Sequence, residues 1–280
     1  LAKKFSKKSL IIKSSATAHK LLSNVYLKEE NFIKAWEHFD GRLNEDNFIY
    51  RNDSYNLIKD KLLHKRRIDP KKQLLIIREQ GVGDEILYGT MYKDVLENFS
   101  NTYIEADERL IDLFINSFGK QHANKLKTFG FFSKNENNLK KIDQVLYAGS
   151  LGYYFRNQLN NFPKKGYAKI DQTLIEKTKK DLVSFDKKFK VGISWKSLNN
   201  KYAEQKSLSL ENLLDLLRLP DINFFNLQYG DVLKEIKDFN STNNLNLINL
   251  NHIDLFNDFL KVASLLKNLD LFITVSNSTA

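Results

Sequence analysis

The 280-residue sequence contains no cysteine, a single methionine and only three prolines. Without cysteine, the chain has no disulfide framework, no thiolate zinc site and no cysteine nucleophile, and it fits a reducing compartment. No apolar run approaches the ~18 residues that a membrane helix needs, and the basic first residues precede no apolar segment of signal-peptide length. We therefore expect a soluble, cytoplasmic protein whose chemistry rests on oxygen and nitrogen groups.

Several catalytic motifs are also missing. The five histidines show no paired metal-binding spacing, and no apolar-flanked Asp-x-Asp element is present to hold a nucleotide-bound divalent ion. The sequence has neither a P-loop nor a Gly-x-Ser-x-Gly elbow, which disfavours P-loop hydrolysis and serine esterase chemistry. We predict no metal and no cofactor, and single displacement by an activated hydroxyl remains open.

The positive charge is unevenly distributed. The formal net charge is +10, and residues 1–72 alone carry an excess of eight basic residues. A nucleic-acid surface would combine this charge with aromatics or arginine forks, whereas 36 of the 44 basic residues here are scattered lysines. We expect no nucleic-acid partner. The cluster of Lys3, Lys4, Lys7, Lys8 and Lys13 is either a solvated helix face or a contact for an acidic membrane surface.

Residues 15–45 predict a helical hairpin. Ala18, Leu22, Ala35 and Phe39 recur at helical spacing on either side of a polar break, and they also match the spacing of a tetratricopeptide repeat. One repeat cannot bury its own face, so either earlier repeats precede it or the hairpin packs on the domain after it. The missing initiator methionine agrees with a trimmed start, and the hairpin could bind a protein partner.

From residue 71 onward, strands alternate with helices, as in parallel α/β sheets. Strands are predicted at residues 73–78, 102–106, 144–148, 190–195, 224–227, 245–250 and 271–275. Helices are predicted at residues 85–98, 108–118, 151–158, 172–185, 210–218, 232–239 and 257–266. A break near 165–188 divides the chain into a helical segment (1–70), a first Rossmann-like domain (71–170) and a second, incomplete one (171–280), with a site between the two sheets.

The loop at residues 80–85 follows a buried strand and opens a helix, where backbone N–H groups converge on a polar ligand. We expect Gln80, Gly81, Gly83 and Glu85 to form its substrate-facing part, and Asp84 stands in the first turn of the helix. Asp84 could then accept a proton in the presumed cleft. The alternative is that Asp84 only caps its helix.

Polar residues follow three strands of the second domain. Each of these groups has an ordinary structural alternative, namely a solvated lysine, a helix cap or a turn. Hydroxyl, amide and lysine groups there could hold a diphosphate and ribose without a metal. The candidate residues of this diphosphate and ribose site are Ser194, Trp195, Lys196 and Lys206, with Lys201 nearby, then Gln228, Tyr229 and Gly230, and finally Ser276, Asn277, Ser278 and Thr279.

Taken together, these segments resemble bacterial tetratricopeptide-repeat glycosyltransferases related to the heptosyltransferase family. The segments that carry the resemblance are, in chain order, WEHFDGRL (36–43), REQGVGDEI (78–86), DERLIDLF (107–114), AGSLGYYFR (148–156), GISW (192–195), NLQYGD (226–231) and DLFITVSNSTA (270–280). Seven segments in the same order over almost the whole chain are more specific than any one of them.

The resemblance implies a GT-B fold with acceptor on the first domain and nucleotide-sugar donor on the second. It implies that Asp84 is the general base of an inverting, metal-independent transfer to a glycan, a lipid-linked glycan or a protein hydroxyl. The relatives have an acidic residue where Ser276 stands, so the donor or its contacts are expected to differ. Their usual histidine would be residue 281, so a 280-residue fragment would lack part of its donor wall.

Two rival interpretations stay open at this point. The chain could be a repeat-type scaffold with a degenerate sugar-nucleotide domain. It could also be a nucleotide-binding oxidoreductase, although the third glycine of a dinucleotide fingerprint is absent.

Overall fold

The computed structural model describes residues 1–44, 53–63, 67–185, 187–197 and 203–280. Within it the chain divides into two units, Leu1–Tyr167 and Ala168–Ala280. Each unit contains one parallel sheet with helices, which makes the chain a mixed α/β protein. The helical hairpin belongs to the first unit.

The first sheet has four strands in the order β3-β2-β1-β4, and all of its pairings are parallel. Its strands are β1 (Leu74–Ile77), β2 (Thr102–Ala106), β3 (Leu126–Thr128) and β4 (Gln144–Tyr147). Every residue of β1 is buried, as the apolar run Leu-Leu-Ile-Ile predicts for a central parallel strand. The short strand β3 was not predicted, because Leu-Lys-Thr carries no apolar run.

Helices surround this sheet. The helices of the first unit are α1 (Ala2–Ile12), α2 (Ala16–Lys28), α3 (Phe32–Phe39), α4 (Asp53–Ile58), α5 (Val82–Asn98), α6 (Glu108–Phe118), α7 (Glu136–Leu139) and α8 (Leu151–Phe155). Short 3₁₀ turns lie at Asp40–Asn44, Lys59–Lys61, Lys120–Lys125, Ala148–Ser150 and Leu159–Asn161. Helix α5 starts three residues earlier than predicted because the loop glycines are already helical or cap the helix.

The hairpin of α2 and α3 forms as predicted, and it packs against the rest of the first unit. Ser15 and Asn31 cap the two helices through their side chains. The indole Nε1 of Trp36 donates a 2.6 Å hydrogen bond to the carbonyl of Arg156. Arg156 itself leaves the helical conformation, so α8 ends at Phe155, three residues earlier than predicted. The identification of the hairpin as a tetratricopeptide repeat stays a prediction.

The second sheet has three strands in the order β6-β5-β7, again all parallel. They are β5 (Phe189–Ser194), β6 (Ile222–Asn226) and β7 (Leu271–Thr274). Its helices are α9 (Gln172–Lys180), α10 (Ala203–Lys206), α11 (Leu214–Leu217), α12 (Leu233–Asn243) and α13 (Phe259–Leu266), with 3₁₀ turns at Val183–Phe185 and Glu211–Leu213. The predicted helices 172–185 and 210–218 each divide into an α-helical part and one of these turns.

The predicted strand at residues 245–250 is wrong. The segment makes a single parallel bridge between Ile248 and Phe225. The side chain of Asn240 explains why the ladder goes no further, since it accepts from the backbone N–H of Leu247 and donates to the carbonyl of Leu247. That residue therefore has its backbone groups paired with a helix side chain.

The helices are short or polar by the standard of a bilayer. In the described part of the chain, no helix combines the length and the apolar character that crossing a membrane needs.

We expect Gly152→Ala to destabilise the first unit. A Cβ at position 152 would lie 2.6–2.7 Å from ring atoms of Trp36, so the indole that anchors the hairpin would have to move. Overpacking of this kind costs about 1–3 kcal/mol. Urea unfolding measures the loss, and Gly166→Ala is the matched control because nothing lies within 4 Å of its Cβ. Equal stability of the two variants would contradict the packing described for Trp36.

Candidate functional site

The loop between β1 and α5 carries the proposed general base. Gly81 caps the helix, and Asp84 Oδ2 accepts a 3.0 Å hydrogen bond from the backbone N–H of Gly81. Asp84 therefore does cap its helix, as the structural alternative holds. Its side chain is nevertheless exposed, and Oδ1 has no hydrogen-bond partner among the described residues. One carboxylate oxygen is left for a ligand, so the catalytic role stays a prediction.

The backbone of this loop is held in an unusual conformation. Gln80 has a φ of +63°, in the left-handed region, which costs a residue other than glycine about 1–2 kcal/mol. The guanidinium of Arg78 donates to the carbonyl of Gln80 at 3.3 Å. Gly83 lies half-buried in the first turn of α5. Contacts from neighbouring residues therefore stabilise a loop shape that its own sequence does not favour.

The structure corrects the expectation for Glu85. Its carboxylate is fully buried, where it accepts from Arg78 Nε at 2.5 Å and from the backbone N–H of Asp107 at 3.0 Å. Burial raises the pKa of Glu85 to about 7, against the opposing attraction of Arg78. Glu85 thus joins the ends of β1 and β2 instead of facing an acceptor. The signal was available, because Arg78 and Asp107 end adjacent parallel strands.

A second buried ion pair at the same sheet edge was missed from the sequence. The guanidinium of Arg42 binds Glu79 in a bidentate fork, with Nε–Oε2 and Nη2–Oε1 distances of 2.7 and 2.6 Å. Glu79 directly follows Arg78 at the end of β1, and its side chain has no solvent exposure. A separation of 37 residues hides this pair from any local pattern.

In the second unit, a hydrogen-bond network joins the carboxyl ends of all three strands. Gln228 Oε1, after β6, accepts from Ser194 Oγ at 3.0 Å and from the backbone N–H groups of Trp195 and Lys196 at 3.0 and 2.7 Å. Asn277 Nδ2, after β7, donates to Ser194 Oγ at 2.7 Å. The structure thus brings together three of the predicted donor-site residues, Ser194, Gln228 and Asn277. Gln228 itself is buried, and its side-chain oxygen binds groups of the protein.

The turn after β7 presents free backbone donors. Asn277 Oδ1 accepts from the N–H of Thr279 at 3.0 Å, which fixes the turn, and Thr279 is itself buried. Ser276 is exposed and Ser278 half-buried. The backbone N–H groups of Ser276, Asn277 and Ser278 have no hydrogen-bond partner within the described ranges. Successive unpaired N–H groups of this kind suit an anion.

A pocket of about 330 Å³ opens beside the same strand ends. Side-chain amides and two aromatic rings contribute to its lining, and the rings of Tyr229 and Phe256 stand 6.0 Å apart. Asn226 Nδ2 donates to Asn249 Oδ1 at 2.7 Å, which orders one wall. The lining residues are Asn226, Gln228, Tyr229, Gly230, Val232, Leu233, Asn249, Leu250, Asn251, Ile253, Asp254, Leu255 and Phe256. Pockets that combine apolar walls with a few fixed polar groups are typical small-molecule sites.

The side chains of other predicted donor residues make different contacts. Trp195 is fully buried in the hydrophobic core, and its indole donates to Glu235 at 3.3 Å, so its expected donor contact is wrong. An aromatic residue after a strand can equally be core, and here it is. Lys196 Nζ forms an ion pair with Glu235 at 2.6 Å. Lys206 is exposed at the end of α10, and Lys201 lies outside the described residues.

We expect Glu85→Gln to flatten the pH dependence of stability. The pKa of Glu85 rises from 4.5 to about 7 on folding, so the folded state holds the proton more tightly than the unfolded state does. Its contribution to stability is therefore most favourable below pH 4.5 and is lost as the pH rises through 7. Urea unfolding over this range measures the slope, with Glu108→Gln, an exposed carboxylate on α6, as the control. Equal slopes for Glu85→Gln and wild type would refute the assignment.

We expect Gln228→Met to destabilise the second unit, because it leaves a hydroxyl and two backbone N–H groups buried without an acceptor. Unsatisfied buried donors cost about 1–3 kcal/mol each. Thermal unfolding measures the loss. Gln172→Met, which removes an exposed pair with Glu176, is the control and should change stability by less than about 0.5 kcal/mol. A Gln228 variant as stable as this control would show that the network contributes little.

The chain matches no known family profile. Over 219 residues it is 28% identical to Protein FlbA of Caulobacter vibrioides, an alignment that covers 74% of this chain. The same alignment covers 37% of FlbA, so the chain spans little more than a third of that relative.

Two solved structures are similar in fold, at low sequence identity. The glycosyl transferase family 9 protein from Veillonella parvula has a TM-score of 0.49 and 12% identity, covering 75% of this chain and 77% of that one. ADP-heptose lps heptosyltransferase II of E. coli has a TM-score of 0.48 and 8% identity, covering 74% and 80%.

Proposed function

We propose that this chain is part of a glycosyltransferase that moves a sugar from a nucleotide-sugar donor to a hydroxyl of a glycan, a lipid-linked glycan or a protein. The proposal rests on one observation above the others. In the second unit, the network of Ser194, Gln228 and Asn277 holds three strand ends together beside both a pocket and a turn with unpaired N–H groups. The sequence motifs that contain these residues add their resemblance.

The pocket is suited to the nucleoside of the donor. Asn249 Nδ2 donates to Asn251 Oδ1, which orients the amide of Asn251 so that its Nδ2 can donate to the polar edge of a base. The rings of Tyr229 and Phe256 offer faces for stacking. Gly230, with a φ of +95°, shapes the turn at its rim. These groups do not distinguish one base from another, so the proposal extends to nucleoside diphosphate sugars as a class.

The diphosphate is assigned to the turn after β7. The backbone N–H groups of Ser276, Asn277 and Ser278 can donate to its oxygens, and the hydroxyls of Ser276 and Ser278 add further donors. Lys206 is exposed at the end of α10, and Lys196 forms an ion pair with Glu235; either lysine can add positive charge once its ammonium group turns to the diphosphate. Charge neutralisation by these donors requires no metal ion.

The first unit is assigned the acceptor, with Asp84 as general base. The acceptor oxygen attacks the anomeric carbon, its proton passes to Asp84, and the bond from the anomeric carbon to the diphosphate oxygen breaks as the nucleoside diphosphate leaves. Attack opposite to the leaving group inverts the anomeric configuration. Gln80 and Gly81 would bind acceptor hydroxyls around this carboxylate.

The reaction also implies a location. Nucleotide sugars are cytoplasmic metabolites in bacteria, so we place the enzyme in the cytoplasm. The lysines of α1, which include Lys3, Lys4, Lys7 and Lys8, would favour a peripheral position at an acidic membrane where lipid-linked acceptors lie.

We expect Asp84→Asn to lower kcat roughly 10²–10⁴-fold while stability stays at the wild-type level. Asparagine can still accept the hydrogen bond from Gly81 and cap α5, so only the proton acceptor is lost. Turnover is measured as release of nucleoside diphosphate from candidate donors, with Glu108→Gln as a control carboxylate on the neighbouring helix.

Two outcomes would count against this function. Unchanged turnover in Asp84→Asn would remove Asp84 from the mechanism. No thermal stabilisation by any uridine, adenosine or guanosine diphosphate would favour a scaffold with a degenerate sugar-nucleotide domain.

A further inference from the structure

The first sheet has a topological switch point at β1, and a side chain of the same unit occupies the crevice there. The strand order β3-β2-β1-β4 means that the chain leaves β1 toward β2 and later returns to the other side of β1 as β4. Open α/β sheets commonly bind ligands in the crevice between the loops at such a point. Here Glu79 of the first loop and Gly149 and Ser150 of the second enclose the guanidinium of Arg42.

The guanidinium of Arg42 makes hydrogen bonds on all sides in this crevice. Nε and Nη2 bind Glu79, Nη2 also donates to Ser150 Oγ at 3.1 Å, and Nη1 donates to the carbonyl of Phe39 and to Asp40 Oδ1 at 3.0 and 2.9 Å. All five N–H groups of the guanidinium thus have acceptors. Its Cζ lies 4.2 Å from the centre of the Phe39 ring.

The crevice leaves no room around this group. A Cβ on Gly149 would lie 2.7 Å from Glu79 Oε1 and 2.9 Å from Arg42 Nη2. The backbone N–H of Gly149 also donates to Glu79 Oε1 at 2.5 Å. One carboxylate therefore joins three parts of the unit: the hairpin, the β1 loop and the β4 loop.

Glu79 immediately precedes the loop that carries the proposed base. Gln80 follows it with its left-handed backbone, and Asp84 closes the loop by accepting from Gly81. A residue with unfavourable backbone geometry persists only where its surroundings hold it. Glu79, fixed by Arg42 on one side and by Gly149 on the other, holds the chain immediately before Gln80, and Arg78 holds the carbonyl of Gln80 itself.

We propose that Arg42 is a positioning residue for the acceptor loop: by binding Glu79 in the switch-point crevice, it makes the N-terminal hairpin a fixed part of the candidate active site. The role of the loop rests on the function proposed above, but the anchoring itself does not. Because the side chain of Arg42 occupies the switch-point crevice, that crevice binds no nucleotide.

Hydrogen–deuterium exchange tests the anchoring without any substrate. The variants are Arg42→Lys, which keeps the charge but loses the fork, and Arg42→Met combined with Glu79→Gln, which removes the charge of Glu79 together with that of Arg42. The double variant leaves Asp40 its hydrogen bond from Ser150 and still offers Gly149 an acceptor. Both should speed amide exchange in residues 79–86, at Gly81 and Glu85 in particular, and leave residues 189–194 and 271–274 unchanged.

The control variant is Arg109→Met. Arg109 forms a comparable fork with Asp107 at the same sheet edge, with distances of 2.8 and 2.9 Å, but it joins residues only two apart. It should leave exchange in residues 79–86 as in wild type. Unchanged exchange in the folded Arg42 variants, or equal acceleration in Arg109→Met, would overturn the proposal.

Turnover provides the second readout. A loop displaced by about 1 Å can lose about 10²-fold in kcat, so Arg42→Lys should lower kcat while the KM for the donor, which binds the second unit, stays at the wild-type value. An equal rise in donor KM would contradict positioning of the acceptor loop. If wild type transfers no sugar from any donor, the proposed function fails, and the exchange data still decide whether Arg42 anchors the loop.

Discussion

In both sheets every strand pairing is parallel, and this constraint determines where the chain can place chemistry. Parallel strands release their following loops at one edge, so residues far apart in sequence meet there. In the first unit this edge brings together Arg42 with Glu79 and Arg78 with Glu85. In the second unit it brings together Ser194, Gln228 and Asn277, which carry no charge.

The two edges use these groups differently. At the first edge the charged side chains form ion pairs inside the protein, and the carboxylate of Asp84 is the exposed acidic group of the loop. At the second edge a neutral network stabilises the loops and leaves a pocket and unpaired N–H groups beside it. A carboxylate can remove a proton from an acceptor hydroxyl, and N–H donors can bind a diphosphate. This difference is why the acceptor is assigned to the first unit and the donor to the second.

Apolar periodicity was enough to predict most of the elements, because a run such as Leu74–Ile77 reports burial directly. It could not predict the three-residue strand β3, nor exclude a strand at 245–250, where the side chain of Asn240 limits pairing to one bridge. At the candidate site, the position after a strand singled out Ser194, Gln228 and Asn277, which the structure joins in one network, and their role in donor binding stays a prediction. The sequence misassigned Trp195 and Glu85 because position after a strand does not tell whether a side chain turns inward, and it missed Arg42 because its partner lies 37 residues away.

The central claim is that the donor's nucleotide binds the strand ends of the second unit. Hydrogen–deuterium exchange with and without uridine, adenosine and guanosine diphosphates tests it directly, because it reports both binding and place. We predict that at least one nucleotide protects residues 226–230, 249–256 and 275–279, while residues 79–86 and 148–150 exchange as in the free protein. Protection confined to the loops of the first sheet, or none with any nucleotide, would contradict the account.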